Sequence, residues 1–442
     1  MIYYIDNMLG SDENSGTVES APKRSYQDID IKPGDKVLFK CGNLYKGKLE
    51  TVSGTSKEPV TYGCYGTGNK PVFSASIDIG DPSKWVELQK NIWQCVMDFP
   101  TETCNIVFDE GERPATLCFE KEKVCKQGFF HDTFFGKNQK LQNSSGLQAQ
   151  QLILYSVQNP GEYYHDIQWV GRNRNLAELN PNVIFENLVF QYNGIHAISG
   201  TGKNNIIRNC IFRFIGGAIW RLKDSIRFGN AIESWEDAEN IEVTHCFFDN
   251  IYDSCVTHQG SEFCTNAVNI NIHDNLFQNY GMAAYEVRDK MPVRSCFRDN
   301  ICINAGEGFS ENGVNMPRSS EIWPEPMGHH VFLWRIDDCN ETDSLAITNN
   351  IFYNAKYGAA IYARISEAAQ KRLELDRNIY YTENEGMLNY FYNDNYTSFK
   401  DYIALSGHDA SSELKQVDIL SIVQRWKAKN GLREEDVNAS EV

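Results

Sequence analysis

The chain of 442 residues is 41% hydrophobic and 12% aromatic, enough for a large core, and its 23% charged content is that of an ordinary soluble protein. Its 59 acidic against 42 basic residues give a net charge of −17, which repels a phosphate backbone and excludes nucleic acid as a partner. No stretch reaches the roughly 18 consecutive apolar residues of a membrane span, so no membrane partner is expected.

Residues 1–91 alternate turn clusters, such as Gly10-Ser11-Asp12 and Lys32-Pro33-Gly34-Asp35, with short strands over 36–40 and 60–62, and read as a cap and the first coils of a solenoid. The opening Met1-Ile2-Tyr3-Tyr4-Ile5-Asp6 lacks a basic segment leading into an apolar one, which predicts a cytoplasmic protein, or a secreted one whose leader has been removed. Residues 92–180 break the pattern with strand-like pieces at Ile106-Val107-Phe108 and Leu152-Ile153-Leu154-Tyr155 between polar stretches. They predict an inserted β-rich subdomain flanking one face.

From 181 to 394 one phrase recurs: an Asn or Cys, two apolar residues, about five turn residues and a short apolar run. It begins at Asn187, Cys210, Cys246, Asn275, Asn300, Asn350 and Asn378, with spacings of 23, 36, 29, 25, 50 and 28 residues. Coils of that length, rich in Asn, Ile, Phe and Val and without helical apolar spacing, predict an all-β, right-handed parallel β-helix. Its rungs lie about 4.8 Å apart, so Asn side chains at equivalent bends can join in a ladder. Residues 395–442 carry a helix-like pattern from Ile419 to Lys429 before a charged end, which predicts a cap over the last coil and a frayed terminus. The 13 cysteines form no CxxC pair and several replace an apolar strand residue (Cys210, Cys246, Cys255, Cys302). They read as buried free thiols, which suits a reducing compartment.

Four groups of residues resemble a known group of proteins. Tyr3-Tyr4-Ile5-Asp6 with Gly10-Ser11-Asp12, Pro33-Gly34-Asp35-Lys36-Val37-Leu38-Phe39 and Tyr62-Gly63-Cys64-Tyr65-Gly66 looks like the N-terminal coils of bacterial parallel β-helix proteins that degrade polysaccharides. Gly128-Phe129-Phe130-His131-Asp132 with Asn159-Pro160-Gly161 looks like their inserted module. Gly229-Asn230-Ala231-Ile232, Asn240-Ile241-Glu242-Val243 and Ile251-Tyr252-Asp253 are similar to their central coils, and the run from Tyr402 to Ser412 to their closing segment. The group comprises fucosidase/xylanase-type β-helix glycosidases and, more distantly, alginate and chondroitin lyases. The resemblance spans nearly the whole chain and implies an oligosaccharide or polysaccharide substrate.

Counting from each ladder residue puts offset ten (Ala197, Trp220, Val256, Tyr285, Ser310, Ala360, Leu388) inward and offsets seven, nine, eleven and thirteen outward. The outward set concentrates charge at mid-height: Arg221, Asp253, Glu286, Arg288, Glu307 and Glu311. Glycoside hydrolysis needs one protonated and one ionised carboxyl, and carboxylates on neighbouring rungs could divide these roles. Asp253 and Glu286 are the expected pair, with Glu311 as the substitute. Arg221, Asn230, Glu233, His258, Gln259, Arg288, Trp334 and Arg335 are the expected substrate contacts, although parity turns His258 inward as a core histidine. His329-His330, after Trp323-Pro324-Glu325-Pro326, falls in an expected binding loop. No cofactor and no metal site are expected for the hydrolase. The alternative is a uronate-specific lyase using Lys223, Arg221 or Arg288, with calcium as a possible neutraliser. A third reading is a non-catalytic carbohydrate-binding solenoid. The sequence assigns no oligomeric state.

Overall fold

The recurring Asn marks the bend where one wall of the solenoid passes into the next. In the computed structural model, which describes residues 1–133, 151–221, 226–259, 266–308, 327–355, 359–381, 389–391 and 398–432, Asn275, Asn300, Asn350 and Asn378 stack at that bend on successive coils. Each Nδ2 donates to the Oδ1 of the next Asn, at 3.1, 3.2 and 3.1 Å, and to a strand carbonyl. Each Oδ1 also accepts the preceding rung's backbone N–H, and Cys246 continues the column by donating its N–H to Asn275. The residue before each ladder Asn (Asp274, Asp299, Asn349, Arg377) has φ of 55–58°, in the left-handed region that Asn and Asp enter most readily. Asp409 closes the column, accepting from Asn378, Tyr380 and Tyr402.

Three parallel sheets form the walls. Sheet A has ten strands, from Ile2–Ile5 to Leu373–Asp376, sheet B ten, from Leu44–Lys46 to Glu413–Leu414, and sheet C eight, from Ala177–Glu178 to Asn389–Phe391. The chain visits them in the order A, B, C on each full coil, which is the right-handed parallel β-helix the repeat predicts. Inside, Phe190, Phe212, Phe248 and Phe277 stack with ring centroids 5.5, 4.8 and 4.6 Å apart, because in-register strands bring identical positions together. The described cysteines are all unpaired thiols.

Three expectations need correction. Register aligns Val189 with Ile211, so Leu188 and not Asn187 holds the ladder position on that coil. The inserted strands begin at Ile77–Asp78, ahead of residue 92, because that strand and Trp85–Gln89 are tied by antiparallel pairing into two sheets that close at Leu152–Tyr155 and Ile167–Gly171. These sheets enclose their own core around Trp85, Phe108, Phe130 and Trp169. The helix Ile419–Lys429 does not cap the last coil. It lies along the outside of sheet B, with Ile419, Val423 and Trp426 against Val189, Ile211, Phe247 and Leu276, and Trp426 Nε1 donating to the Asp274 carbonyl at 3.1 Å. The shorter helix Phe399–Ser406 inserts Tyr402 into the main core.

Replacing Asn300 by Ala strands the buried Asn275 amide and the Ile272 carbonyl together. We expect a loss of roughly 2–4 kcal/mol in urea unfolding. Asn240, in a more exposed ladder between Asn204 and Asn269, should cost less than about 1 kcal/mol by the same change. Equal losses at the two positions would refute the ladder's structural role.

Candidate functional site

Three long connections lie at one corner, between sheets B and C. The inserted subdomain departs there after Val72–Ser74, the antiparallel hairpin Ala218–Arg221 with Ile226–Phe228 follows Ile211–Ile215 of sheet B, and a third long connection separates Ile301–Ala305 of sheet B from His329–Ile336 of sheet C. Tyr192, Phe214 and Tyr252 pack at this corner against Val107 and Val170 of the subdomain. Arg227, fully buried, crosses from the hairpin to the carbonyls of Gly217 and Cys104 and stacks over Tyr252 at 4.4 Å. The corner therefore flanks the outer face of sheet C.

Sheet C pairs Ile198 with Ile232, Val256, Tyr285, Val331 and Ile361, which all point inward. The next residue on each strand forms an outward row: Ser199, Glu233, Thr257, Glu286, Phe332, Tyr362. A second outward row, two residues further, carries Trp235, Gln259, Arg288, Trp334 and Arg364. The first row is polar on the lower coils and aromatic on the upper ones.

Glu286 is the centre of the polar half. It is 1% exposed, accepts the Ser254 hydroxyl at 2.6 Å and pairs with the Arg288 guanidinium. Burial works against the charge on Arg288, but Glu286, with Asp253 and Asp289 behind it, more than restores it and raises its pKa. Asp253, buried in the turn one coil below, lies beside the Ser254 that bonds Glu286. Asn230 supports this turn, its Oδ1 accepting the Ser254 N–H at 2.9 Å while its own N–H donates to His196 Nδ1 at 3.1 Å. Glu233 Oε2 lies 2.5 Å from the other ring nitrogen of His196, without the alignment of a hydrogen bond.

The structure thus gathers Asp253, Glu286, Arg288, Asn230 and Glu233 on one face. Gln259 and Trp334 share the second row, where Arg364 covers the Trp334 ring at 5.0 Å. Arg335 departs from the expected contacts: it has φ of 55° at a register shift and pairs with Asp289 at 3.1 Å, away from the outward rows. His258 is inward enough to be buried, its Nδ1 3.3 Å from the Tyr285 hydroxyl, which fits the core reading better than substrate contact. Arg221 ends the hairpin strand Ala218–Arg221, outside the sheet C rows, and Trp220 on that strand is 58% exposed where the count had turned it inward. Glu311, Trp323 and Lys223 lie outside the described residues. His329 and His330 are not on a loop; they open the strand His329–Ile336 on opposite faces, His329 stacking on Phe332 and His330 on Phe352. Among the described residues no three His, Cys, Asp or Glu side chains group to hold a metal ion.

Sequence reasoning missed His196, Ser254, Phe332 and Tyr362, whereas Thr257 stands at outward offset eleven from Cys246, as the register has it. His196 stood at outward offset nine from Asn187 and was legible there. Phe332 and Tyr362 were hidden because connections of unequal length shift the count on their coils.

No protein-family model matches the chain. A stretch of 84 residues is 31% identical to lacto-N-biosidase of Bifidobacterium longum subsp. longum, covering 17% of this chain and only 5% of that protein. Among solved structures, XylC in complex with xylose aligns with a TM-score of 0.57 at 10% identity, over 88% of this chain and 70% of that one. A GH136 lacto-N-biosidase from Eubacterium ramulus aligns at 0.47 and 14%, over 94% and 68%. The XylC likeness is one of fold.

Burial holds three imidazoles neutral, pushing His258 and His329 down to about 4 and His330, with His329 beside it, to about 3. An unfolded histidine titrates near 6.5, so below that pH only the unfolded chain gains these protons. Stability should be insensitive to these groups above about pH 7 and fall as pH drops toward 4, by up to about 1.4 kcal/mol per pH unit for each. Burial raises Asp249 and Asp409, which act in the opposite sense. Thermal melts of the His258→Gln variant should therefore show a shallower decline between pH 7 and 5 than the parent; an unchanged slope refutes the assignment.

Proposed function

We propose that this chain hydrolyses a glycosidic bond of an oligosaccharide or polysaccharide on the outer face of sheet C, using Glu286 and Asp253. The observation that carries the reading is a nearly inaccessible carboxylate, Glu286, fixed by Ser254 and Arg288 on an outward row, with a second carboxylate one coil below. Such a hydrolase needs an ionised carboxylate to attack the anomeric carbon or activate water, and a protonated one to give its hydrogen to the leaving oxygen. Glu286, charge-paired with a guanidinium and bonded by a hydroxyl, suits the first role. We assign the second to Asp253, the other buried carboxylate of this face.

The local likeness to lacto-N-biosidase supports carbohydrate as the substrate class. Trp235, 41% exposed beside Gln259 on the second row, offers a ring face on which a pyranose can stack its C–H bonds. Because Arg288 is committed to Glu286, neutralising a uronate there would require breaking that pair, which favours hydrolysis over elimination.

Assayed on a glycan panel by reducing ends and by absorbance of unsaturated products, the protein should release reducing ends only. Glu286→Gln and Asp253→Asn should each lower kcat roughly 10²–10⁴-fold with the fold intact. An aryl glycoside with a good leaving group should rescue Asp253→Asn alone. Unsaturated products would establish the lyase, and full activity of both variants would remove the pair. Trp235→Ala and Glu233→Gln should act mainly on KM. A kcat loss for Glu233→Gln would move the pair to Glu233 and Glu286, two rungs or about 9.6 Å apart on one row.

A further inference from the structure

A second cleft, of about 480 Å3, lies around the corner on the outside of sheet B. One wall carries Gln191 and Arg213 on adjacent rungs, and the other carries Asp78, Glu110 and Asp166 of the inserted subdomain. Its volume is that of an ordinary small-molecule site. Two of its cations are already committed: Lys46 Nζ donates to the Ser76 carbonyl and hydroxyl at 2.9 and 3.1 Å, and Lys70 Nζ to the Asn209 carbonyl at 2.7 Å.

Arg213 differs. It is 6% exposed, and neither Nε nor Nη2 has a hydrogen-bond partner in the protein. The Asp249 carboxylate stands 3.6 Å from Nε, beyond hydrogen-bond reach. Two buried guanidinium N–H groups without acceptors carry a desolvation cost that an acceptor in the cleft would remove. A ligand carrying negative charge would meet three carboxylates opposite, whereas a hydroxyl both accepts and donates.

We propose that this cleft binds a neutral mono- or disaccharide unit, with one hydroxyl accepting from the Nε and Nη2 edge of Arg213 and others donating to Asp78, Glu110 and Asp166. It is separate from the sheet C face, from which Tyr192, Phe214 and Tyr252 divide it. It does not depend on the chemistry proposed there.

The test is calorimetric titration of the full chain carrying Glu286→Gln with lactose, cellobiose, xylobiose, N-acetylglucosamine and glucuronic acid. At least one neutral sugar should bind, and both Arg213→Gln and Gln191→Trp, added singly, should weaken it tenfold or more while Trp235→Ala does not. Gln191→Trp fills the cleft from a partly exposed position and decides the matter if Arg213→Gln fails to fold. Three outcomes overturn the proposal: no neutral sugar binds, glucuronic acid binds more tightly than every neutral sugar, or Trp235→Ala abolishes binding that the cleft variants leave intact.

Discussion

The rest of this structure depends on in-register parallel stacking, in which each coil repeats the last about 4.8 Å higher. That spacing is close to what one primary amide needs to bond the next, and it turns single residues into columns. The Asn column at the first bend satisfies buried backbone groups that a turn would otherwise leave unpaired. The Phe column inside sheet B fills the interior with the same ring on successive rungs.

Stacking also explains where chemistry can be placed. A residue on an outward row has neighbours above and below at one fixed distance, so a carboxylate on it meets whatever the adjacent coils present. At Glu286 these are Thr257 below in register and Phe332 above, with Ser254 and Arg288 reaching in from either side. The burial of Glu286 is tolerable because both oxygens have partners. The insertions at the corner between sheets B and C leave the Asn column unbroken while building walls beside two faces. The inserted subdomain touches both, lining the sheet B cleft with Asp78, Glu110 and Asp166 and reaching the sheet C side through Arg172, which stacks over Phe228 at 5.4 Å and pairs with Glu102.

The C-terminal helix follows from the same arrangement. The outer face of sheet B presents the apolar row Val189, Ile211, Phe247, Leu276 and Ile301, which cannot remain wet. The amphipathic segment from Ile419 to Lys429 covers it, and Lys427 lies over the Phe247 ring at 5.2 Å. The sequence pattern revealed the helix and its apolar stripe. It did not reveal which apolar surface the stripe would cover.

By itself the sequence determined the repeat, the residue type at the bends from Cys210 onward and hence the solenoid, because local backbone conformation and in-register identity are both written in the spacing of Asn275, Asn300, Asn350 and Asn378. It also turned Glu286 and Arg288 outward, as the register has them, because they lie on a coil without an insertion between sheets B and C, where counting from the ladder keeps its parity. Tertiary structure alone decided the rest. On the coils beginning at Leu188, Cys210, Asn300 and Asn350 the connection from sheet B to sheet C differs in length, and a slip of one residue exchanges inside for outside. Ile198 and Ile361 therefore face the core, Trp220 sits on a hairpin, and Glu233 joins the row of Glu286 from a position that no fixed offset predicts. Which residues face together across coils depends on the pairing of strands far apart in the chain, and that pairing is settled only when the whole solenoid closes on its core.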